Sequence, residues 1–312
     1  MKKLTLLCLF FCLLACQKKN KVLLEFNPPL NATYRMVQIV KEVITVSDVM
    51  GDHQFEITSN TGYCFQVVEK QEFISALDVN FESFKLKIKT PTDNFQYNSK
   101  KSEEQSSPLA FFYQKLLGQK FKLIIKRDGK VLTVRGLDNW MAAMLDSIGL
   151  NDADLRRAIV NSFNQFYAEK MLRQSFDRIF HVLPPKPIAL KESWEATEKE
   201  ATYYFPIQKN VKWTCTDLSH SKVTLEGYSK FATTDSISLL EQLNIQGKYH
   251  FWGIETSNFE IDPQTGWILS AKRLLYLKSR TSVSGPGSKN NPLEVPVKIQ
   301  RQIRFLPLSA IQ

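Results

Sequence analysis

Thiols and imidazoles are the side chains best suited to covalent chemistry in this sequence, and they are few. The cysteines are Cys8, Cys12, Cys16, Cys64 and Cys215; the histidines are His53, His181, His220 and His250. A thiol acts as a nucleophile only with a base in hydrogen-bond reach. Cys215 and His220 come near each other in sequence, but Asp217-Leu218-Ser219 between them reads as a strand end and turn. The histidines show no zinc-ligand spacing with the cysteines, and His181 suits the C-terminal end of a helix, where a cation meets the dipole. Carboxylate pairs have simpler roles than acid–base work. Asp152 and Asp154 fit the start of a helix, Glu103 and Glu104 a polar loop, and Glu260 and Asp262 a strand end and turn. Asn151-Asp152-Asp154 lacks the spaced oxygen series of a calcium loop. There is no glycine-rich nucleotide loop, no G-x-S-x-G elbow and no H-E-x-x-H. The residues therefore predict no catalytic group, no metal and no cofactor, and a protein that is not an enzyme.

Cys16 is the cysteine whose surroundings specify a chemistry. Lys2 and Lys3 precede an apolar run, Leu4 to Leu14, interrupted only by Thr5. As a helix that run reaches about 16 Å, half of a bilayer core near 30 Å, so it reads as the apolar region of a signal peptide and not as a membrane span. Leu13-Leu14-Ala15-Cys16 resembles the lipobox of bacterial lipoproteins. The resemblance implies cleavage before Cys16, acylation of its thiol and membrane attachment through two or three acyl chains. Lys18, Lys19 and Lys21 would then lie against the headgroups. Position 17 is Gln and not Asp, and no acidic run follows; by resemblance to lipoprotein sorting rules this places the chain at the periplasmic face of the outer membrane. Cys64 and Cys215 then remain as thiols in an oxidising compartment. A disulfide between them and two separate buried cysteines both stay open.

The chain has 312 residues with 41 Lys and Arg against 31 Asp and Glu, a net charge of +10, 43% hydrophobic and 12% aromatic residues. That balance excludes collagen-like, coiled-coil and disordered classes and allows a large core. Residues 1–15 read as the signal peptide and 16–32 as a tether. An antiparallel β region over 33–136 is indicated by strand-like stretches at Tyr34–Val49, Phe55–Val68, Phe121–Ile125 and Val131–Val134. In Phe81–Ile88 of the same region, Phe84, Leu86 and Ile88 alternate with Lys85, Lys87 and Lys89. Arg127-Asp128-Gly129-Lys130 is a hairpin signal, and Leu109–Leu117 reads as a short helix. A helical segment with a Pro-rich connection covers 137–187. Trp140, Met144 and Ile148 form one stripe; Leu155, Ile159, Phe163, Phe166 and Phe176 mark a long amphipathic helix, stopped by Pro184-Pro185-Lys186-Pro187. A second β region fills 188–312, with stretches at Ala201–Phe205, Val211–Thr216, Val223–Phe231, Tyr249–Ile261, Trp267–Lys278 and Val295–Phe305. The run from Gly118 to the Asp128-Gly129 hairpin rhymes with the run from Gly247 to Asp262…Gly266, which suggests two duplicated halves. The expected fold is α+β and β-rich, with antiparallel sheets around a central pair of helices.

Taken together, the lipobox, Tyr34, Gly118…Phe121 with Asp128-Gly129, Pro184-Pro185-Lys186-Pro187 before Ser193-Trp194, and Thr265-Gly266 give the chain its outline. It resembles a family of uncharacterised bacterial envelope lipoproteins, a domain of unknown function. The layout is also loosely similar to periplasmic lipoprotein carriers, in which a curved antiparallel sheet with helices on its concave side shelters acyl chains. Two functions follow as expectations. One is a non-catalytic binding or scaffold module with an envelope protein as partner. The other is a carrier or sensor of lipid, its ligand lined by Leu155, Ile159, Phe163, Phe166 and Phe176. An open apolar space under the long helix would favour the carrier, and a solid core would count against it. The lysines at 85, 87 and 89 with Lys120, Lys122 and Lys126 either face an anionic partner or solubilise a sheet. The compartment disfavours nucleic acid despite the positive charge.

Overall fold

The computed structural model describes residues 20–48, 50–101, 108–147, 149, 152–154, 156–157, 160–161, 167–202, 205–240, 245–284 and 293–310. The expected signal peptide, Cys16, Leu155, Ile159, Phe163 and Phe166 lie outside the described residues. A two-residue strand, β1 (Lys21–Val22), is followed by a meander: β2 (Thr33–Asp48), β3 (Gly51–Lys70), β4 (Ile74–Lys89), β5 (Asn94–Asn98), β6 (Lys120–Lys126) and β7 (Val131–Arg135). Helix α1 (Pro108–Leu116) sits between β5 and β6, and α2 (Asp138–Ser147) and α3 (Glu169–Phe180) follow β7. After the short β8 (Ile188–Ala189) comes a second meander: β9 (Ser193–Thr202), β10 (Phe205–Leu218), β11 (Val223–Leu240), β12 (Ile245–Ile261), β13 (Ile268–Ser284) and β14 (Leu293–Pro307).

The fold is β-rich and antiparallel, but the two β regions are not separate sheets. They fuse into one 12-stranded sheet in the order β7-β6-β4-β3-β2-β14-β13-β12-β11-β10-β9, with β5 beside the free half of β4. The seam is the antiparallel pair β14 and β2, running from Val297 opposite Val46 to Pro307 opposite Met36. Each meander on its own would leave a long edge of unpaired backbone groups; pairing those edges removes both. The edge at β9 carries exposed Glu195, a charge of the kind that guards an open edge.

Alternation tells which face is inside. In β4, Phe84 and Leu86 are buried while Lys85, Lys87 and Lys89 are exposed. Phe81 also faces in, because Gly62 and Tyr63 pair with Ser83 and Phe81, leaving Glu82 as an extra residue that resets the phase. Helix α3 lies on this inner face through Leu172, Phe176, Ile179 and Phe180. The Asp177 carboxylate accepts from Val131 N–H at 2.9 Å, and Glu169 from Gly136 N–H at 2.7 Å. The expected single long helix breaks at Ala168, whose ψ of 144° is extended. The break lets Tyr167 join Phe81, Phe84, Phe112 and Tyr113 while Phe176 and Phe180 enter a second ring group. The described helices α1, α2 and α3 do not confirm a central pair.

The rhyme between the hairpin turns has a local cause. Both turns meet the segment that follows β1: Phe26 N–H donates to Arg127 O at 2.7 Å and Asn27 N–H to Thr265 O at 2.8 Å. A Cβ on Gly129 would lie 2.0 Å from Phe180 O, and one on Gly266 would lie 2.2 Å from Glu25 O; their φ values are 85° and 64°. Both positions thus require glycine for the same reason, backbone packed directly on a left-handed turn. The β6–β7 hairpin closes a sheet edge whereas the β12–β13 hairpin lies inside the sheet, so the structure does not confirm duplicated halves.

Candidate functional site: the inner face of the curled sheet

Under α3 the inner face is a cluster of rings. Phe176 has its centroid 5.4 Å from Tyr63, 5.8 Å from Phe65 and 5.9 Å from Phe121. Phe180 sits 5.3 Å from Phe26 and 5.5 Å from Trp267. These are edge-on and tilted contacts at van der Waals spacing, each worth about 0.5–1.5 kcal/mol beyond area burial. Phe176 is 1% exposed and Phe180 0%. Burial raises the phenols of Tyr63 and Tyr113 above their ordinary range, so both stay protonated. Of the residues expected to line a ligand, Phe176 is therefore a core residue; the other four lie outside the described part.

Next to the rings, the inner face turns polar. Each of the strands from β9 to β2 across the seam supplies a polar side chain: Glu198, Lys209, Ser229, Glu255, Arg273, Arg301 and Glu42. Lys209 Nζ lies 2.5 Å from Glu255 Oε2 and 3.6 Å from Glu198 Oε2. Arg273 donates Nε to Glu255 Oε1 at 2.8 Å, one terminal nitrogen to Glu198, and the other to Arg178 O of α3 at 2.7 Å. Arg301 donates to Glu42 Oε1 at 2.8 Å.

The Arg273–Glu198 contact reveals the shape. Four strand spacings separate β13 from β9, about 19 Å in a flat sheet, more than an Arg and a Glu can span. The second meander is therefore curled until opposite walls touch. Beyond the charges lies a second apolar cluster, Ile207, Phe231, Phe251, Leu275, Leu277 and Ile299, with exposures between 2% and 8%. Lys209 and Arg273 are matched by Glu198 and Glu255, and Arg301 by Glu42, so these buried groups sum to zero charge, as a desolvated network requires. Their chemistry is to hold walls together.

The residues 73–268 match the Family of unknown function (DUF6263), well over half of the chain. The chain belongs to that family. The matched stretch spans β4 to the start of β13, with α3 and Glu198, Lys209 and Glu255, while Glu42, Arg273 and Arg301 stand outside it. No curated protein matches the chain. Among solved structures, lipovitellin, described for its lipid–protein interactions, is similar with 10% identity and a TM-score of 0.49 over 89% of this chain. The chain spans about a quarter of lipovitellin's length, 25% of that chain. The β domain of the Bordetella autotransporter BrkA (8% identity, TM-score 0.18, 88% of this chain and 99% of that one) is more distant. So is Pseudomonas aeruginosa OccK2 (6% identity, TM-score 0.18, 89% and 99%). At such scores none of them assigns a function to this chain.

The sequence-derived candidates fall apart in space. Cys215 is buried on the inner face with its Sγ 3.5 Å from Asp217 O, and His220 is exposed in the β10–β11 turn; no hydrogen bond joins them. His181 caps α3 at its C-terminus, 3.5 Å from Asp177, which raises its pKa through a hydrogen bond. Among the described residues no cluster of three His, Cys, Asp or Glu side chains is set to hold a metal ion. The lysine stripe is partly neutralised, Lys89 by Glu56 at 3.4 Å and Lys122 by Asp78 at 3.8 Å. Sequence reading missed Lys209, Glu255 and Arg273. The available signal was phase: Ile207, Val211, Trp213 and Cys215 share one parity, and Lys209 sits in it.

Cys64 and Cys215 are both free thiols, and alternation puts them on opposite faces, Cys64 outward between buried Tyr63 and Phe65. Alkylation of the unfolded, unreduced protein should modify both Cys64 and Cys215, read by peptide mass spectrometry; loss of both adducts, restored by reductant, would show a bridge this fold does not make. In the native protein half-buried Cys64 should react before Cys215. Burial raises both thiols, so labelling should accelerate as pH rises above their ordinary range.

Proposed function

We propose that the chain is a lipid-anchored module of the bacterial cell envelope, tethered through acylated Cys16 to the outer membrane with its body in the periplasm, and that it works by binding and not by catalysis. The anchor rests on Lys2-Lys3, the apolar run and Leu13-Leu14-Ala15-Cys16. The binding role is carried by one observation: the described interior of the curled sheet is filled by the chain's own side chains. The rings of Phe176 and Phe180 occupy the space under α3, paired ions follow, and Phe251 and Leu277 are buried beyond them. A carrier of lipid or another hydrophobic ligand needs open apolar room. Here a ligand would have to displace packed rings or separate paired charges. A scaffold or binding module meets its partner on the outside and needs a rigid interior, which fused meanders and ion-paired walls provide.

Native mass spectrometry of the protein from a bacterial periplasm, carrying Cys16→Ser, tests the binding role. A bare protein mass is expected; a stoichiometric lipid adduct would sink it in favour of the carrier. The anchor is tested separately. Radiolabelled palmitate should enter the wild-type chain, and Cys16→Ser should abolish both the label and sedimentation with outer membranes. A labelled Cys16→Ser chain would refute the anchor.

A further inference from the structure

The outward face of the second meander carries large side chains that solvent does not ordinarily meet together. Tyr228 of β11, Trp252 and Ile254 of β12 and Tyr276 of β13 are 52%, 36%, 41% and 54% exposed. The register makes them neighbours: Ile254 stands opposite Tyr276 on one side and Lys230 on the other, Trp252 opposite Lys278, and Tyr228 opposite Lys212. Directly paired residues in a sheet have Cβ atoms about 5 Å apart, so this is one continuous patch. Arg280 and Lys298 extend it, opposite His250 and Lys278. Lys212, Lys230, Lys278, Arg280 and Lys298 form no ion pair among the described residues. The nearby outward carboxylates are Glu195, opposite Lys212, and Glu226, opposite Asn258.

We infer that this face docks on a bilayer containing anionic lipid, with the Trp and Tyr rings at headgroup level and the lysines on phosphates. Amphipathic rings prefer that depth, lysine stems lie along apolar surface with the ammonium outward, and each surface cation adds attraction to an anionic leaflet. Position supports the same partner and rests on the anchor proposed above. From Cys16 to Lys21 the chain can reach about 17 Å, so the body starts beside the membrane. Lys21–Val22 pairs with Ile188–Ala189, and Lys191 N–H donates to Cys215 O on β10. Lys212 lies three residues up that strand, about 10 Å away, opposite Tyr228. The patch therefore lies next to the point where the anchor enters the fold.

Vesicle flotation tests this with the chain from position 16 carrying Cys16→Ser, so that no acyl chain contributes. Phosphatidylcholine vesicles with phosphatidylglycerol should bind it and release it as salt rises, and pure phosphatidylcholine should bind far less. Lys230→Glu with Lys278→Glu should weaken binding about tenfold or more, and Trp252→Ala with Tyr276→Ala should weaken it several-fold. All four side chains are exposed, and unchanged circular dichroism and melting would verify the fold of each variant. Lys85→Glu with Lys87→Glu, on β4, should leave binding unchanged. Equal loss with that control pair, no difference among the variants, or binding only to an anionic polysaccharide would overturn the membrane assignment. Vesicle binding by a chain that fails to incorporate palmitate would refute the anchor and leave the patch standing.

Discussion

Lys209→Met should lower the stability of the fold by about 3–5 kcal/mol, the usual result of removing one partner from a buried ion pair. The side chain of Lys209 is fully buried, and its Nζ stands between the carboxylates of Glu255 and Glu198. Without it, Glu198 and Glu255 keep Arg273 as their cation among the described residues, in a site already out of water. Guanidinium unfolding of wild type and variant measures the loss. The companion experiment is the double variant Lys209→Met with Glu255→Met, which removes one charge of each sign and leaves Arg273 paired with Glu198. Replacing a buried pair by apolar groups of similar volume is often neutral, so the double variant should be more stable than the single one. Equal losses for the two would show that the ions are not coupled, and a single-variant loss under about 1 kcal/mol would mean that Nζ is hydrated in the folded protein.

Much of the sheet is written locally. Phe84, Leu86 and Ile88 against Lys85, Lys87 and Lys89 identify both the strand and its inner face, and both hairpin turns are marked by Asp and Gly. Leu172, Phe176 and Ile179 mark the buried side of α3. What local pattern does not carry is the joining of β2 to β14. That pairing is made between the first and last long strands of the chain, so neither strand contains a sign of its neighbour. The edge strand β9, Ser193–Thr202, escaped notice for another reason: Ser-Trp-Glu-Ala-Thr-Glu-Lys-Glu-Ala-Thr has the charges of an edge and little of the apolar alternation of an interior strand.

The inward charges were hidden by an assumption about polarity. Reading charges as outward puts Lys209 in solvent, whereas strand phase puts it inside with Ile207, Val211 and Trp213. Phase wins because the ammonium finds anions on the inner face: Glu198 stands directly opposite it on the adjacent strand β9, and Glu255 reaches it from β12. A flat sheet would keep Arg273 away from Glu198, four strands distant, and leave the network without its second cation there. The buried charges and the curl thus belong to one device. The convex patch was missed for the complementary reason: Trp252, Ile254 and Tyr276 look like core residues in sequence, and only their phase relative to Phe251, Glu255 and Leu275 turns them outward.

Phe176→Ala should cost about 3–5 kcal/mol, and this second large effect bears directly on function. The ring contacts Tyr63, Phe65 and Phe121, drawn from β3 and β6, while α3 is also held by Asp177 on Val131 N–H and by Arg273 on Arg178 O. Those polar attachments keep the helix in place, so the space left by the ring cannot close by helix movement alone and remains as a dry apolar cavity. A packed scaffold and a lipid carrier respond differently. In the scaffold the loss is large and the purified variant still shows a bare mass in native mass spectrometry, because an acyl chain needs more room than one phenyl ring leaves. In a carrier the ring would line an existing space, its removal would cost under about 1 kcal/mol, and a lipid adduct would be retained or strengthened. Stability and bound mass measured on the same variant thus separate the two functions at the position that both readings of the helix share.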